Sequence, residues 1–128
     1  MIFGGSGNDN LQGYYGDDIV VGGEGDDYVQ GGEGDDIVVG GAGRDFVRGN
    51  GGNDVVVGGT SSVDGVAGPI DAATRTALEQ ALAAWIANGM GANLSFFSFA
   101  DDGEVDQLYG DAGNDWFFSG AGDRLRSN

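Results

Sequence analysis

Eight aspartates recur at one place in a nine-residue repeat, and their type and spacing make them the chain's best candidates for chemistry. The repeat occupies residues 4–12, 13–21, 22–30, 31–39, 40–48 and 49–57, and it returns at 101–109 and 110–118. Its sixth position holds Asp9, Asp18, Asp27, Asp36, Asp45, Asp54, Asp106 and Asp115. Carboxylates stacked in register repel one another unless cations lie between them, so the pattern predicts metal binding.

The composition narrows the kind of metal and of partner. The 128 residues carry 21 acidic and 5 basic side chains, and the net charge is −16. This charge disfavours nucleic acid and anionic membranes as partners and favours cations. The chain has no cysteine and no histidine, which excludes disulfides, thiolate zinc sites and a histidine general base. Metals that prefer oxygen ligands remain. No stretch approaches the ~20 apolar residues of a membrane span, so no membrane insertion is expected.

The elements that must position these aspartates follow from the rest of the repeat. Its eighth position is always apolar, with Leu11, Val20, Val29, Val38, Val47, Val56, Leu108 and Phe117. We therefore expect glycine-rich loops of six residues to alternate with three-residue strands whose middle side chain faces inward. Glycines at the second position supply left-handed backbone angles. Tyr14, Asn50 and Asp111 replace glycine there, and tyrosine is the least suited of the three to that geometry.

The pattern resembles the RTX, or repeats-in-toxin, nonapeptide GGxGxDxUx, strongly over residues 4–57 and more loosely over 101–118. The resemblance implies a parallel β-roll in which two nonapeptides complete one coil. It also implies Ca²⁺ between successive loops on the same edge, held by the position-six carboxylates and by loop carbonyls. Alternate loops would then pair Asp9 with Asp27, Asp27 with Asp45, Asp18 with Asp36 and Asp36 with Asp54, which makes at least four ions.

Two alternatives concern the acidic residues. The position-six aspartates would serve only glycine turns if no metal were bound, because aspartate is common in turns. The adjacent Asp17, Asp26 and Asp35 at position five are either solvated charges or direct ligands.

The residues that flank position eight alternate in character from one repeat to the next. Every second repeat carries two aliphatic residues there, and these are Ile19, Val21, Ile37, Val39, Val55 and Val57. Neighbours of an inward residue point outward in a strand, so one outer face of the roll should be an aliphatic patch. Exposed patches of this kind are unusual, and we expect this one to be covered.

Residues 60–100 interrupt the repeats and provide a candidate cover. Pro69 and Asp71 are helix start signals, Asn88-Gly89 is a stop signal, and the apolar residues between them recur at helical spacing. We expect an α-helix near 71–88, laid on the aliphatic face or across an end of the roll. The aromatic segment 94–99 should return the chain to the roll. In the last loop Arg124 falls at position six, which disfavours a calcium site there.

The sequence thus predicts a mainly β protein: a parallel β-roll, or calcium-binding β-solenoid, with one inserted α-helix near 71–88. Residues 1–59 form the first repeats, 60–100 the inserted helix and aromatic strand, and 101–128 further repeats that complete the roll. The predicted function is that of a non-enzymatic, calcium-binding structural module of a secreted or cell-surface bacterial protein, which folds on binding Ca²⁺ outside the cell. The alternative is a subunit of a calcium-dependent filament or surface layer, built by head-to-tail stacking as a homopolymer. An adhesin fragment is less favoured.

Overall fold

The computed structural model describes residues 1–61, the isolated residues 76, 80, 83, 84, 86 and 87, and residues 99–127. In chain order its strands are β1 (Ile2–Ser6), β2 (Asn10–Tyr15), β3 (Ile19–Glu24), β4 (Tyr28–Glu33), β5 (Ile37–Ala42), β6 (Phe46–Gly51), β7 (Val55–Val57), β8 (Thr60–Ser61), β9 (Phe99–Ala100), β10 (Gln107–Ala112), β11 (Trp116–Phe118) and β12 (Arg124–Ser127).

The chain winds as a parallel β-solenoid because successive strands alternate between two sheets. Sheet A has the order β1-β3-β5-β7-β11, and sheet B has the order β2-β4-β6-β10-β12. Within each sheet the neighbours are parallel and in register, so that Val20 pairs with Val38 and Val29 with Val47. Two nonapeptides therefore complete one coil, and five coils are stacked. This confirms the predicted mainly β, parallel roll.

The core is a double column of small aliphatic residues between the two sheets. Its members come from position eight of the repeat and are fully buried: Val20, Val29, Val38, Val47, Val56 and Leu108. Ile2, Leu11 and Phe117 are partly buried and pack against this column. Position eight faces inward as predicted, and burial of these side chains contributes to the stability of the roll.

The strands are longer than the sequence pattern predicts. β3, β4, β5 and β6 each have six residues, because the ladder continues through the first three positions of the following repeat. The predicted three-residue strands are therefore wrong for these elements. Tyr14, Asn50 and Asp111 have φ angles of 77°, 81° and 71°, which is the left-handed geometry expected at position two. Tyrosine is accommodated there on an exposed corner, with 63% of its surface accessible.

The outer face of sheet A is covered, as its composition predicts. Ile19, Ile37 and Val55 are each no more than 1% exposed, and Val21, Val39 and Val57 are equally buried. The segment proposed as the cover falls largely outside the described residues, so its position stays a prediction. The helix expected near 71–88 falls largely outside the described residues, and no helix has defined bounds within them. Ile86 is one of its few described residues, and it is 43% exposed.

The outer face of sheet B carries an aromatic stack instead of an aliphatic patch. The rings of Tyr28 and Phe46 lie 4.8 Å apart and nearly parallel, and Tyr109 stacks on Phe46 at the same distance. Arg48 lies 5.8 Å from the centre of the Tyr109 ring and forms an ion pair with Asp111. Because the rings use their faces to contact one another, they act chiefly as cross-strand packing.

The interruption is an insertion within one loop. β8 and β9 pair antiparallel, Thr60 with Ala100 and Ser61 with Phe99, so the chain leaves the roll and re-enters it at neighbouring points. After the paired strands β8 and β9 the roll resumes in register, with Leu108 beside Val47 and Phe117 beside Val56. Residues 101–127 therefore stack on the roll of their own chain.

Candidate metal centre

The position-six aspartates form two columns, one along each edge of the roll. The first column lies in the loops that lead from sheet A to sheet B and contains Asp9, Asp27, Asp45, Asp106 and Asp123. The second column lies in the loops that lead back and contains Asp18, Asp36, Asp54 and Asp115. The structure thus brings together all eight predicted site residues, in the pairs expected from the repeat, and adds Asp123.

Each column is held by one hydrogen bond per coil that uses a single carboxylate oxygen. The backbone N–H of Asp9 donates to Oδ1 of Asp27 at 2.8 Å, and the N–H of Asp27 donates to Oδ1 of Asp45 at 2.9 Å. The second column repeats this contact, with the N–H of Asp18 donating to Asp36 at 2.7 Å. A carboxylate that accepts a backbone N–H fixes both its own rotamer and the spacing of the two loops.

In six of the nine column members the other carboxylate oxygen has no protein partner. Oδ2 is buried and accepts no hydrogen bond in six residues of the two columns: Asp9, Asp27, Asp36, Asp45, Asp54 and Asp106. Asp36, Asp54 and Asp106 are fully buried, and Asp27 and Asp45 are only 3% exposed. Leaving a buried acceptor unsatisfied costs about 1–3 kcal/mol, and more when it is charged. Six such oxygens in register indicate a missing partner common to these six loops.

The first glycine of each repeat leaves room for that partner. A Cβ added to Gly4 would lie 2.6 Å from Oδ2 of Asp9 and 2.6 Å from the carbonyl oxygen of Gly22 in the next coil. A Cβ on Gly40 would likewise lie 2.5 Å from Oδ2 of Asp45 and 2.8 Å from the carbonyl oxygen of Gly58. The unpartnered carboxylate oxygen and a carbonyl of the following coil therefore converge on a space that any side chain would fill.

The electrostatics of the columns favour binding of a cation. Burial raises the pKa of Asp36 to about 7, although the backbone N–H of Asp18 acts in the opposite direction and stabilises the charged form. Burial raises the pKa of Asp45 to about 8 and that of Asp54 to about 8, and neighbouring carboxylates of the column add to the rise. The pKa of Asp106 rises to about 7 for the same reasons. A bound cation would stabilise the charged carboxylates and thereby lower these pKa values again.

The donor set fits a hard cation such as Ca²⁺. All the available donors are carboxylate and carbonyl oxygens, which Ca²⁺ takes in shells of six to eight. Within residues 1–61 and 99–127 no three acidic side chains lie close enough together to hold a metal ion by themselves. Loop carbonyls would therefore complete the shell, and the position-six carboxylates would supply the charge.

The aspartates at position five accept backbone hydrogen bonds from the following coil. Oδ1 of Asp26 accepts the backbone N–H of Arg44 at 3.0 Å, and Oδ1 of Asp35 accepts that of Asn53 at 2.8 Å. Asp17 serves Asp35 in the same way. These side chains reach toward the following coil, whereas the position-six side chains reach toward the preceding one. The geometry thus assigns Asp17, Asp26 and Asp35 a structural hydrogen bond between coils.

Asp123 is the member of the first column that the repeat frame misses. Its Oδ1 accepts the backbone N–H of Asp106 at 3.1 Å, and Asp27, Asp45 and Asp106 each make the same contact with the preceding coil. The last loop is one residue shorter than the others, since this offset is 17 residues where the regular offset is 18. Arg124 consequently pairs with Gln107 and occupies position seven. The expectation that Arg124 stands at position six is wrong, and the Gly-Ala-Gly-Asp run at 120–123 is the signal that locates the aspartate.

The insertion also divides one loop of the first column without disrupting the column. A Cβ on Gly58 would lie 2.6 Å from Oδ2 of Asp106 and 3.1 Å from Oδ2 of Asp123, so Gly58 is the first residue of the loop that Asp106 ends. Asp45 and Asp106 are 61 residues apart, which is 43 more than the regular offset of 18. One nonapeptide is therefore split, and two carboxylates converge where other loops offer a carboxylate and a carbonyl.

Comparison with known proteins agrees with this geometry. The model of one family, the RTX calcium-binding nonapeptide repeat, matches the chain in four copies over residues 1–29, 30–61 and 101–124. These ranges contain both aspartate columns. No curated protein and no solved structure matches the chain significantly.

Proposed function

Because the chain belongs to the RTX calcium-binding nonapeptide repeat family, we propose that it is a calcium-stabilised structural module in which Ca²⁺ ions join successive coils of the roll. The observation that carries this proposal is the alignment of six buried carboxylate oxygens without partners. Asp9, Asp18, Asp27, Asp36, Asp45, Asp54, Asp106 and Asp115 would be the acidic ligands, together with Asp123.

Calcium binding and folding would be one coupled event. The chain contains 28 glycines, whose backbone entropy opposes folding, and its net charge of −16 opposes compaction. The inner core consists mainly of valines, which are small side chains with modest burial energies. A site that exists only in the folded state adds its binding free energy to the stability of that state.

The columns suggest a number of ions. Consecutive members of the first column define four gaps, and those of the second column define three. We infer up to seven ions for each chain. Four of these gaps lie within residues 4–57, in agreement with the minimum expected from the first repeats alone.

The setting would be a secreted or cell-surface bacterial protein. Extracellular calcium modules have dissociation constants of about 10⁻⁴ to 10⁻³ M, so such a chain stays unfolded at the calcium concentrations inside a cell and folds outside it. Within the described residues no helix is long and apolar enough to cross a membrane. The repeated carboxylates are engaged in the columns, which supports a structural and not an enzymatic role.

A calcium titration tests this proposal. The far-UV circular dichroism of the chain should change from coil to strand as Ca²⁺ is added, and isothermal titration should count the ions. Mg²⁺ at the same ionic strength is the control, because it demands regular octahedral geometry and dehydrates reluctantly. A complete strand signal in chelator at pH 8 would refute the coupling of folding to calcium.

Assembly into a filament or surface layer is the second candidate. Within the described residues β1 and β2 each pair on one side only, so their outer edges are open to another chain. Leu125 of β12 is 49% exposed although its neighbours in register are core residues. Head-to-tail stacking would extend both sheets. Electron microscopy with Ca²⁺ and with chelator tests this: fibres that need calcium would support assembly, and a monodisperse monomer would refute it.

A further inference from the structure

A cleft outside the aspartate columns lies beside the loops of the first column, next to β10 and β12. It is lined by Arg44, Glu104, Val105, Gln107 and Arg124, and its volume is about 470 Å³. Small-molecule sites commonly measure about 300–1,000 Å³. The cleft is therefore large enough to hold a small molecule or a short segment of a polymer.

The cleft originates in one departure from the repeat at position five. In the earlier coils Asn8 and Asp26 occupy this position, and each accepts a backbone N–H from the following coil. Arg44 has no acceptor oxygen, so it cannot continue this series of hydrogen bonds. The residue at the same position in the next coil is Val105, and both residues line the cleft. An open space thus takes the place of the next contact between coils.

Two of the few basic side chains of this strongly acidic chain line the cleft. Only 5 of the 128 residues are basic, against 21 that are acidic, and two of the five line this cleft. Arg48 is paired with Asp111, but within residues 1–61 and 99–127 neither Arg44 nor Arg124 forms an ion pair. Both arginines are exposed, and a guanidinium group presents a planar fork of N–H donors that matches a carboxylate.

The other lining residues restrict the class of anion. Glu104 places a negative charge in the cleft, which would repel a compact dianion such as phosphate. The same carboxylate accepts hydrogen bonds from hydroxyl groups, and the amide of Gln107 both donates and accepts them. Val105 is 41% exposed and offers an apolar surface to the C–H groups of a ring. A carboxylate, several hydroxyls and an apolar ring face are combined in a sugar acid.

We propose that this cleft binds a sugar-acid unit of an acidic polysaccharide, with Arg44 and Arg124 on its carboxylate and with Glu104 and Gln107 on its hydroxyls. The proposal depends on the proposed function only because the roll must be folded by Ca²⁺. Binding is therefore measured at saturating Ca²⁺, after circular dichroism has shown that the chain is folded. Failure to fold would count against the calcium proposal, and folding without binding would count against this one.

Three probes of similar size and one compact anion distinguish the possible ligands by isothermal titration. Trigalacturonate carries carboxylates and hydroxyls, trigalactose carries only hydroxyls, triglutamate carries only carboxylates, and inorganic phosphate is the compact anion. We expect trigalacturonate to bind with a Kd of about 1 mM or tighter. The other three should bind at least about tenfold more weakly. Equal binding of triglutamate or phosphate would overturn the assignment to a sugar acid, and no binding of trigalacturonate would overturn the site.

Three variants locate the site. Arg44→Gln and Arg124→Gln should each weaken trigalacturonate binding by about tenfold, because each removes a charge-assisted hydrogen bond. Arg126→Gln removes the same charge from the same end of sheet B, where Arg126 pairs with Tyr109 and does not line the cleft. We expect this control to bind like the parent chain. An equal loss in all three variants would mean that only overall charge attracts the ligand, and it would refute the cleft.

Discussion

The substitution Asp36→Asn should change the stability of the roll in opposite directions with and without Ca²⁺. Asp36 is fully buried, its Oδ1 accepts the backbone N–H of Asp18 at 2.7 Å, and its Oδ2 has no partner. An asparagine amide keeps the Oδ1 acceptor but replaces the unpartnered oxygen with an NH₂ group. The variant therefore preserves the hydrogen bond between coils and removes the proposed metal ligand.

The pKa of Asp36 sets the expected magnitude. Burial raises this pKa from 3.8 to about 7, and the rise corresponds to about 4 kcal/mol by which the folded chain disfavours the charged carboxylate. Asparagine has no charge to bury, but its amide has a smaller burial cost of its own. In chelator at pH 8 the variant should thus be about 2 to 4 kcal/mol more stable than the parent. In Ca²⁺ it should bind one ion fewer and fold at a higher calcium concentration.

Urea unfolding followed by circular dichroism measures both effects, with sucrose added in the chelator series so that both chains are folded at the start. Asp26→Asn is the matched control, because Asp26 is exposed and its Oδ1 accepts the N–H of Arg44. This control should change stability by no more than about 0.5 kcal/mol in either condition. Asp36→Ala should be less stable than Asp36→Asn in both, since it also leaves the Asp18 N–H without an acceptor. An unchanged ion count and calcium midpoint in Asp36→Asn would refute the role of Oδ2 as a ligand.

Three further predictions concern pH, the glycine cradle and the last coil. The pKa values of Asp45 and Asp54 are about 8 in the folded chain and 3.8 in the unfolded chain. The metal-free roll therefore binds more protons than the unfolded chain between about pH 4 and pH 8, and it loses stability as the pH rises through that range. The strand signal in chelator should therefore grow on acidification from pH 8 to pH 5, while the calcium midpoint rises; a signal that shrinks would contradict the pKa directions. Gly40→Ala places a methyl group 2.5 Å from a carboxylate oxygen. It should destabilise the calcium-loaded roll by about 1 to 3 kcal/mol in urea unfolding. Gly51→Ala is the control, because its methyl group meets only the end of a flexible glutamate side chain and should lower the stability less. Asp123→Asn should reduce the number of ions counted by titration by one, and an unchanged count would remove Asp123 from the site.

The sequence predicts the columns well because the repeat period is itself the geometry of the coil. With an offset of 18 residues, Asp9 must lie beside Asp27 and Val20 beside Val38, and both pairings are observed. The resemblance to a known repeat supplied the identity of the metal, which the spacing alone leaves at oxygen-ligated cations. The carboxylates are thus readable from sequence, and the carbonyls that accompany them depend on how the coils stack.

The site residues that the sequence pattern fails to place lie in loops whose length departs from the repeat. Asp123 is displaced by one residue from the frame, and only the pairing of Gln107 with Arg124 shows which side chain continues the column. Gly58 and Asp106 belong to one loop although the insertion separates them, because β8 and β9 bring the ends of the insertion together. Strand length was also underestimated, since backbone hydrogen bonds between coils continue through glycine-rich positions that carry no hydrophobic pattern.

The two aspartate columns also bear on how the chain behaves as a colloid. Seven divalent ions in the seven gaps would offset fourteen of the sixteen excess negative charges. The metal-free chain is a polyanion whose copies repel one another, whereas the loaded roll would be close to electroneutral and would lose that repulsion. Electrophoretic mobility should consequently fall toward zero as Ca²⁺ is added, and the solubility of the module should fall with it.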